Sequence, residues 1–327
     1  MNKKQSYATL LLVLVTQVIV SQAKVPSNGS MDSPNILFVF SDDHAWQSIG
    51  AYGGRLKEVA HTPNIDKLAS EGMLFRKCFV ANALCGPSRA AVLTGKYGHR
   101  NGVTWNRNTN FDGSQQTFPK LMRQNGYQTA IIGKWHLASV PTGFDYFDVM
   151  KGQGRYYNPF LQRGNAEGLQ DTRTVVGYNS DIVGDLTIEW LKNGRDKSKP
   201  FMLMSQFKAT HHGFCPGPEE YDLYDNVHIP EPDNLFDDFS YRGTAIREQT
   251  LTLYKNLSHS ILVGDPGELG ELNPDQRKAW DAYRSKFSKP FQAMNLNWND
   301  QNRELSRFKY QALLKNFLAA GAGIPAG

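Results

Sequence analysis

The chain is short of cysteine: three among 327 residues, Cys78, Cys85 and Cys215. That is too few for a scaffold built on disulfides, and an odd number leaves at least one thiol to be explained otherwise. No run of lysine and arginine marks a nucleic-acid stripe, so no nucleic acid is expected as partner. The formal charge of +5 is mild and suits an anionic partner without requiring one. No internal repeat is visible, which sets aside solenoids and propellers. The one long apolar run outside the candidate strands, residues 8–20, is too short and too polar at its flanks for a permanent membrane span.

That run follows Lys3 and Lys4 and leads into Ser21-Gln22-Ala23, the layout of a cleavable export signal over residues 1–23. A Ser/Gly/Pro-rich linker over residues 24–34 comes next. Removal of residues 1–23 would take away two lysines and no acid, so the charge of +5 becomes +3, and the mature protein is expected in the periplasm or outside the cell. The remainder, residues 35–327, is long enough for one large α/β domain, and 40% hydrophobic with 12% aromatic content supports a real core. Whether Cys78 and Cys215 pair stays open.

Three apolar runs each end in charged residues. Residues 35–40 read as a strand buried on both faces that ends at Ser41-Asp42-Asp43-His44. Residues 127–133 deliver Lys134-Trp135-His136, and residues 200–207 deliver Lys208-Ala209-Thr210-His211-His212. In open α/β sheets ligands gather beyond the carboxyl ends of the strands. Adjacent carboxylates at Asp42 and Asp43 suggest a hard cation, Ca²⁺ before Mg²⁺; a solvated loop or a helix cap accounts for the pair taken alone. Lys134 and His136, one residue apart, can face the same side of an extended chain while Trp135 packs the other way.

The stretch from Leu84 to Gly95 is organised around Cys85. Pro87 has no N–H to lose in a first helical turn, Ser88 to Leu93 propagate a helix, and Gly95 terminates it. Residue 85 is then at a helix N-terminus, where backbone dipoles favour an anion and Arg89 adds a fixed charge. A small buried cysteine is the alternative for a thiol without such a setting. Elsewhere, Thr62 as N-cap and Pro63 predict a helix ending at Gly72, with a strand resuming at Met73-Leu74-Phe75. Residues 97–103 read as a loop and 117–124 as a helix; 180–193, 241–257, 274–287 and 302–317 read as helical, and 215–238 as a long surface loop.

The segment Cys85-Gly86-Pro87-Ser88-Arg89 with its Leu93-Thr94-Gly95 ending resembles the signature of the type I, formylglycine-dependent sulfatases. Gly133-Lys134-Trp135-His136-Leu137 and Lys208 with His211 are similar to that family's other motifs. The resemblance covers the mature chain and is greatest to members acting on N-acetylglucosamine-6-sulfate. It implies an alkaline-phosphatase-like fold, a largely parallel central sheet flanked by helices. It also implies conversion of Cys85 to formylglycine by a maturating enzyme, Ca²⁺ held by Asp42, Asp43 and residue 85, and a sulfated carbohydrate substrate. Arg89, Lys134 and Lys208 would neutralise charge on the sulfate, and His136 or His211 would protonate the leaving alcohol; after His212 the chain departs from the family's aromatic-proline continuation.

The family completes its calcium site with a later Asp-(His/Gln/Asn)-Gly turn and a further lysine, followed by a smaller C-terminal subdomain. No such turn appears up to Gly327, and Asp265-Pro266-Gly267 reads as an ordinary turn. The fold is therefore expected to be incomplete at its C-terminus and the chain, as it stands, a weak or inactive catalyst with exposed sheet edges. A phosphoester or phosphonate hydrolase of the same superfamily, and a non-catalytic remnant that binds sulfated glycans, are the alternatives.

Overall fold

The computed structural model describes residues 33–107, 109–250, 266–293 and 301–322. The expected export signal, most of the linker and Asp265 lie outside them. Among the described residues six strands form one sheet in the order β1-β6-β2-β3-β4-β5. They are β1 (Ile36–Phe40), β2 (Gln128–Lys134), β3 (Tyr146–Met150), β4 (Phe160–Asn165), β5 (Gly168–Thr174) and β6 (Phe201–Gln206). β1, β6, β2 and β3 run parallel, and β4 and β5 extend the sheet as an antiparallel hairpin. The helices are α1 (Pro63–Glu71), α2 (Cys85–Thr94), α3 (Gly98–Asn101), α4 (Phe118–Gln124), α5 (Asn179–Glu189), α6 (Thr244–Arg247), α7 (Pro266–Leu269), α8 (Pro274–Ala293) and α9 (Gln301–Ala322).

Side chains alternate across a strand, and the central strands carry apolar residues on both faces. Ile131 of β2 and Met202 and Met204 of β6 pack with Ala90 and Leu93 of α2, together with Trp135, Phe144 and Phe147. Ala130, Ile132 and Leu203 point the other way and pack with Ile182 and Val183 of α5 and with Trp190. The sheet is thus the middle layer of a helix–sheet–helix stack, as the α/β expectation requires.

Several local expectations are revised. β1 is buried on neither face along most of its length: Leu37 is 43% and Val39 52% exposed. Among the described residues it pairs with β6 alone and forms the sheet edge. Met73-Leu74-Phe75 forms no strand, because a strand exists only by pairing and no described strand lies beside it; Met73 and Phe75 stay exposed. Residues 97–103 hold the single-turn α3. In the described part of residues 241–257 only α6 is helical. Pro266 starts α7 where a turn was expected, since proline fits the first helical position. Thr62 precedes α1, but its hydroxyl accepts from Gly50 N and donates to Asp66 Oδ1 and caps nothing. No disulfide joins the exposed Cys78 to the buried Cys215.

Candidate active site

Because β1, β6 and β2 are parallel and adjacent, their carboxyl ends open at one place. Phe207 N donates to Phe40 O, Asp42 N to Ala209 O at 3.1 Å and Thr210 N to Asp42 O at 2.8 Å. These bonds carry the β1–β6 pairing past the sheet and clip Asp42 to the segment holding Lys208 and His211. Gly133 lets β2 close in from the other side: a Cβ there would lie 2.0 Å from the Gln206 carbonyl oxygen. Three segments that are distant in sequence thereby converge.

α2 enters from below, with Cys85 as its first residue and Gly95 ending it in the left-handed region, its N–H bonded to Ala91 O. Arg89, one turn in and 3% exposed, points back into the convergence. Its guanidinium donates to Asp42 Oδ2 at 2.9 Å, to Lys134 O at 2.5 Å and to the Gln206 amide oxygen. Lys134, fully buried, places Nζ 2.8 Å from the same Asp42 oxygen. Asp42 thus sits between two cations.

Those neighbours set the protonation states. Burial alone would raise the Asp42 carboxyl, but Lys134 and then Arg89 outweigh it and hold it well below the usual carboxylate range. Asp43 differs: partial burial and the Asp42 charge push its carboxyl up. Burial lowers Lys134 to about 8 against the pull of Asp42. His136 falls to about 4, through burial first and then Lys134 and Arg89. His211 falls to about 2, through burial and then Lys134 and Lys208. Both imidazoles are therefore neutral at pH 7, held so by burial and by the cationic ring around them.

The expected geometry of the Lys134-Trp135-His136 segment is corrected in one respect. β2 ends at Lys134, and His136 takes a φ of 52°. The two polar side chains therefore meet at a left-handed turn and not along an extended strand. Trp135 does pack away, between Phe111 and Phe144, with its indole N–H donating to Ser139 O. Asp43, at φ 56°, is a second left-handed residue in the site.

Ligand atoms of Asp42, Cys85 and His211 all lie within 4.8 Å of one another. Asp43, expected as a metal ligand, falls outside that cluster. It nevertheless fits a cation by its electrostatics: a second carboxylate beside Asp42, with no ion pair of its own among the described residues, is what a divalent ion relieves. Two carboxylates fall short of the six to eight oxygens that calcium takes.

Four groups that had not been predicted complete the arrangement. Asn106 donates its amide N–H to Cys85 Sγ at 3.3 Å and accepts from Gly86 N, so one side chain orients the thiol and closes the helix start. The Gln153 amide nitrogen lies 3.8 Å from the same sulfur. Gln206 anchors Arg89. Glu268 of α7 pairs with Lys208 and stands 3.7 Å from His211 Nδ1. Only Gln206 left a signal, as a polar residue closing an apolar strand. The others come from loops and a short helix whose local pattern carries no chemistry.

With that geometry in hand, comparison with known proteins is direct. The family model described as Sulfatase matches residues 34–260. The chain is 45% identical over 261 residues to N-acetylglucosamine-6-O-sulfatase of Bacteroides thetaiotaomicron, a match spanning 78% of this chain and 44% of that protein. It is 39% identical over 218 residues to human N-acetylgalactosamine-6-sulfatase, spanning 57% and 41%. The solved structure of BT4656 in complex with its substrate D-glucosamine-2-N,6-O-disulfate superposes with a TM-score of 0.79 at 38% identity, covering 89% of this chain and 60% of that one. The chain thus spans about half the length of these relatives.

Proposed function

The chain belongs to the sulfatase family, and from that premise we propose that it serves the hydrolysis of a sulfate monoester on a 6-O-sulfated amino sugar. One observation carries the reading: Cys85, at the start of α2, has its sulfur within 4.8 Å of ligand atoms of Asp42 and His211, inside a ring of buried Arg89, Lys134 and Lys208. The 45% identity to a 6-O-sulfatase and the fold match to a protein holding a glucosamine disulfate support the substrate class.

In this reading a maturating enzyme converts Cys85 to formylglycine, and its hydrate supplies the nucleophile. Asp42 and Asp43 would hold Ca²⁺, which supplies charge neutralisation at the sulfate oxygens. The chain's own residues do the rest. Arg89 and Lys134 are fixed by Asp42, so their positive charge is already oriented when sulfate arrives, and no reorganisation accompanies it. Asn106 fixes the side chain at position 85. His136 and His211 are neutral in the free site, through burial first and the nearby cations second; the negative charge of bound sulfate offsets those cations and shifts the imidazole beside the leaving oxygen towards protonation. Residues 1–23 would direct the protein out of the cytoplasm.

The test is sulfate release from 6-sulfated N-acetylglucosamine by the chain co-produced with a maturating enzyme, with Ca²⁺ present. Release, even if slow, is expected to cease in Cys85→Ala. In Lys134→Ala it is expected to fall by roughly 100- to 1000-fold, the loss of one preorganised charge being worth about 2.7–4 kcal/mol. Undiminished release by Cys85→Ala would sink the proposal.

A further inference from the structure

Beside the nucleophile lies a cavity of about 540 Å³, an ordinary size for a small-molecule site. Trp135, His136 and Ser139 line it from the loop after β2, Lys151 and Gln153 from the loop after β3, and Gln162 from β4. Three of these carry a buried polar atom with no hydrogen-bond partner among the described residues: His136 Nδ1, Ser139 Oγ and Gln153 Oε1. His136 is only 7% exposed. Buried polar atoms are nearly always paired, and these three side chains line one cavity with their orphan atoms just behind its surface, where a small side-chain rotation would present them to a polar guest.

The position of the cavity says which guest. Gln153 joins it to the reacting centre, with its amide nitrogen 3.8 Å from Cys85 Sγ and its amide oxygen among the orphans. Asp42, Asp43, Cys85 and Arg89 themselves line a second cavity of about 770 Å³, and a sulfate ester with its sulfur held there can direct its alcohol portion past Gln153 into the cavity of about 540 Å³. The hydrogen-bonding set suits a sugar: the Gln153 oxygen accepts from a hydroxyl or an N–H, and the Ser139 hydroxyl gives or takes a proton. Phe147, Met150 and Leu169 add apolar wall for the ring's C–H face. Lys151 is exposed at the rim and forms no ion pair among the described residues.

We infer that this cavity receives the ring of the sulfated saccharide and that Lys151 reads a second anionic substituent on that ring. The inference rests on the sulfatase reading, and it makes Ser139, Gln153 and Lys151 specificity determinants that touch substrate away from the reacting sulfur.

The experiment is calorimetric binding to the Cys85→Ala chain with two probes, N-acetylglucosamine 6-sulfate and glucosamine carrying sulfates on both N2 and O6. In that background Lys151→Ala is expected to weaken the disulfate by about 10-fold, the size of one charge-assisted contact. It should leave the monosulfate within about twofold, and Ser139→Ala should weaken both probes by roughly fivefold. Lys151 is exposed, so the variant folds. Equal loss for both probes, or no loss for either, overturns the role of Lys151; no binding of either probe overturns the cavity assignment. The two readings separate cleanly. Binding with this pattern but no sulfate release from any ester by the Cys85 protein removes the hydrolytic reading and leaves the cavity. Cys85-dependent release from a simple aryl sulfate, with neither sugar bound, does the reverse.

Discussion

Lys208 has no side-chain exposure, and its ammonium is paired with Glu268, sixty residues further along the chain. A buried ammonium is costly unless a carboxylate answers it, so removing one partner hurts more than the pair itself stabilises. Glu268→Gln is expected to lower unfolding free energy by roughly 3 kcal/mol, at the low end of the usual range because Glu268 is partly exposed. Urea denaturation measures it; a loss under about 1 kcal/mol would show that the Gln153 carbonyl, 3.4 Å from Nζ, is partner enough. The same carboxylate stands near His211 Nδ1, so it acts on two site residues at once without touching the reacting sulfur. Asp43 and His136 add a different feature: both are held at positive φ, a conformation that costs a non-glycine residue of order 1 kcal/mol and that the packed strand ends impose.

Among the strands, β5 has little apolar support, with all of its residues exposed or half-buried. Arg173 of β5 reaches across β4 to Asp148 of β3, which is fully buried, and donates to both carboxylate oxygens. Tyr146 offers that carboxylate a hydroxyl at 3.3 Å. This bidentate contact ties three strands together in a part of the sheet where apolar packing is thin. Arg173→Met is expected to destabilise by about 3 kcal/mol, because it leaves the Asp148 charge buried with a single weak donor. Adding Asp148→Asn should restore a good part of that loss, and a double variant no better than the single would refute the pairing account.

For the whole molecule, the parallel order of the strands gathers Asp42, Lys134, His136, Lys208 and His211 at one end of the sheet, and the burial that activates them also makes the fold sensitive to acid. His44 and His136 are each lowered from 6.5 to about 4, and His211 to about 2, burial being the first cause in every case. Between pH 6.5 and 4 the unfolded chain binds protons that the folded chain refuses, so stability rises with pH across that window and is lost as pH falls through it. Asp43, raised in the fold, opposes this weakly. The urea midpoint should therefore drop steadily from pH 6.5 to pH 4.5, and a flat profile there would contradict the neutral assignment of these imidazoles. At the other end of the scale, β1 presents an open edge among the described residues, with Leu37 and Val39 exposed and Val80 lining a cavity with Val39, a surface prone to pairing with other strands.

The sequence by itself determined what depends on neighbours in the chain. The α2 segment is legible because Pro87 and Gly95 act locally. β2 and β6 are legible because continuous apolar runs exceed what one face can bury, and the charged residues behind them are in plain view. The same pattern misled at β1 and at residues 73–75, since a run of apolar residues says that a segment wants cover and not whether a neighbour supplies it. The tertiary structure alone decided that β6 lies between β1 and β2, which is what puts Lys208 and His211 beside Asp42. It alone brought Asn106, Gln153 and Glu268 to Cys85 and Lys208, over separations of 21, 68 and 60 residues. The protonation states also belong to that level. A pKa is moved by desolvation and by charges within a few ångströms, and both arise only once distant segments are packed against one another.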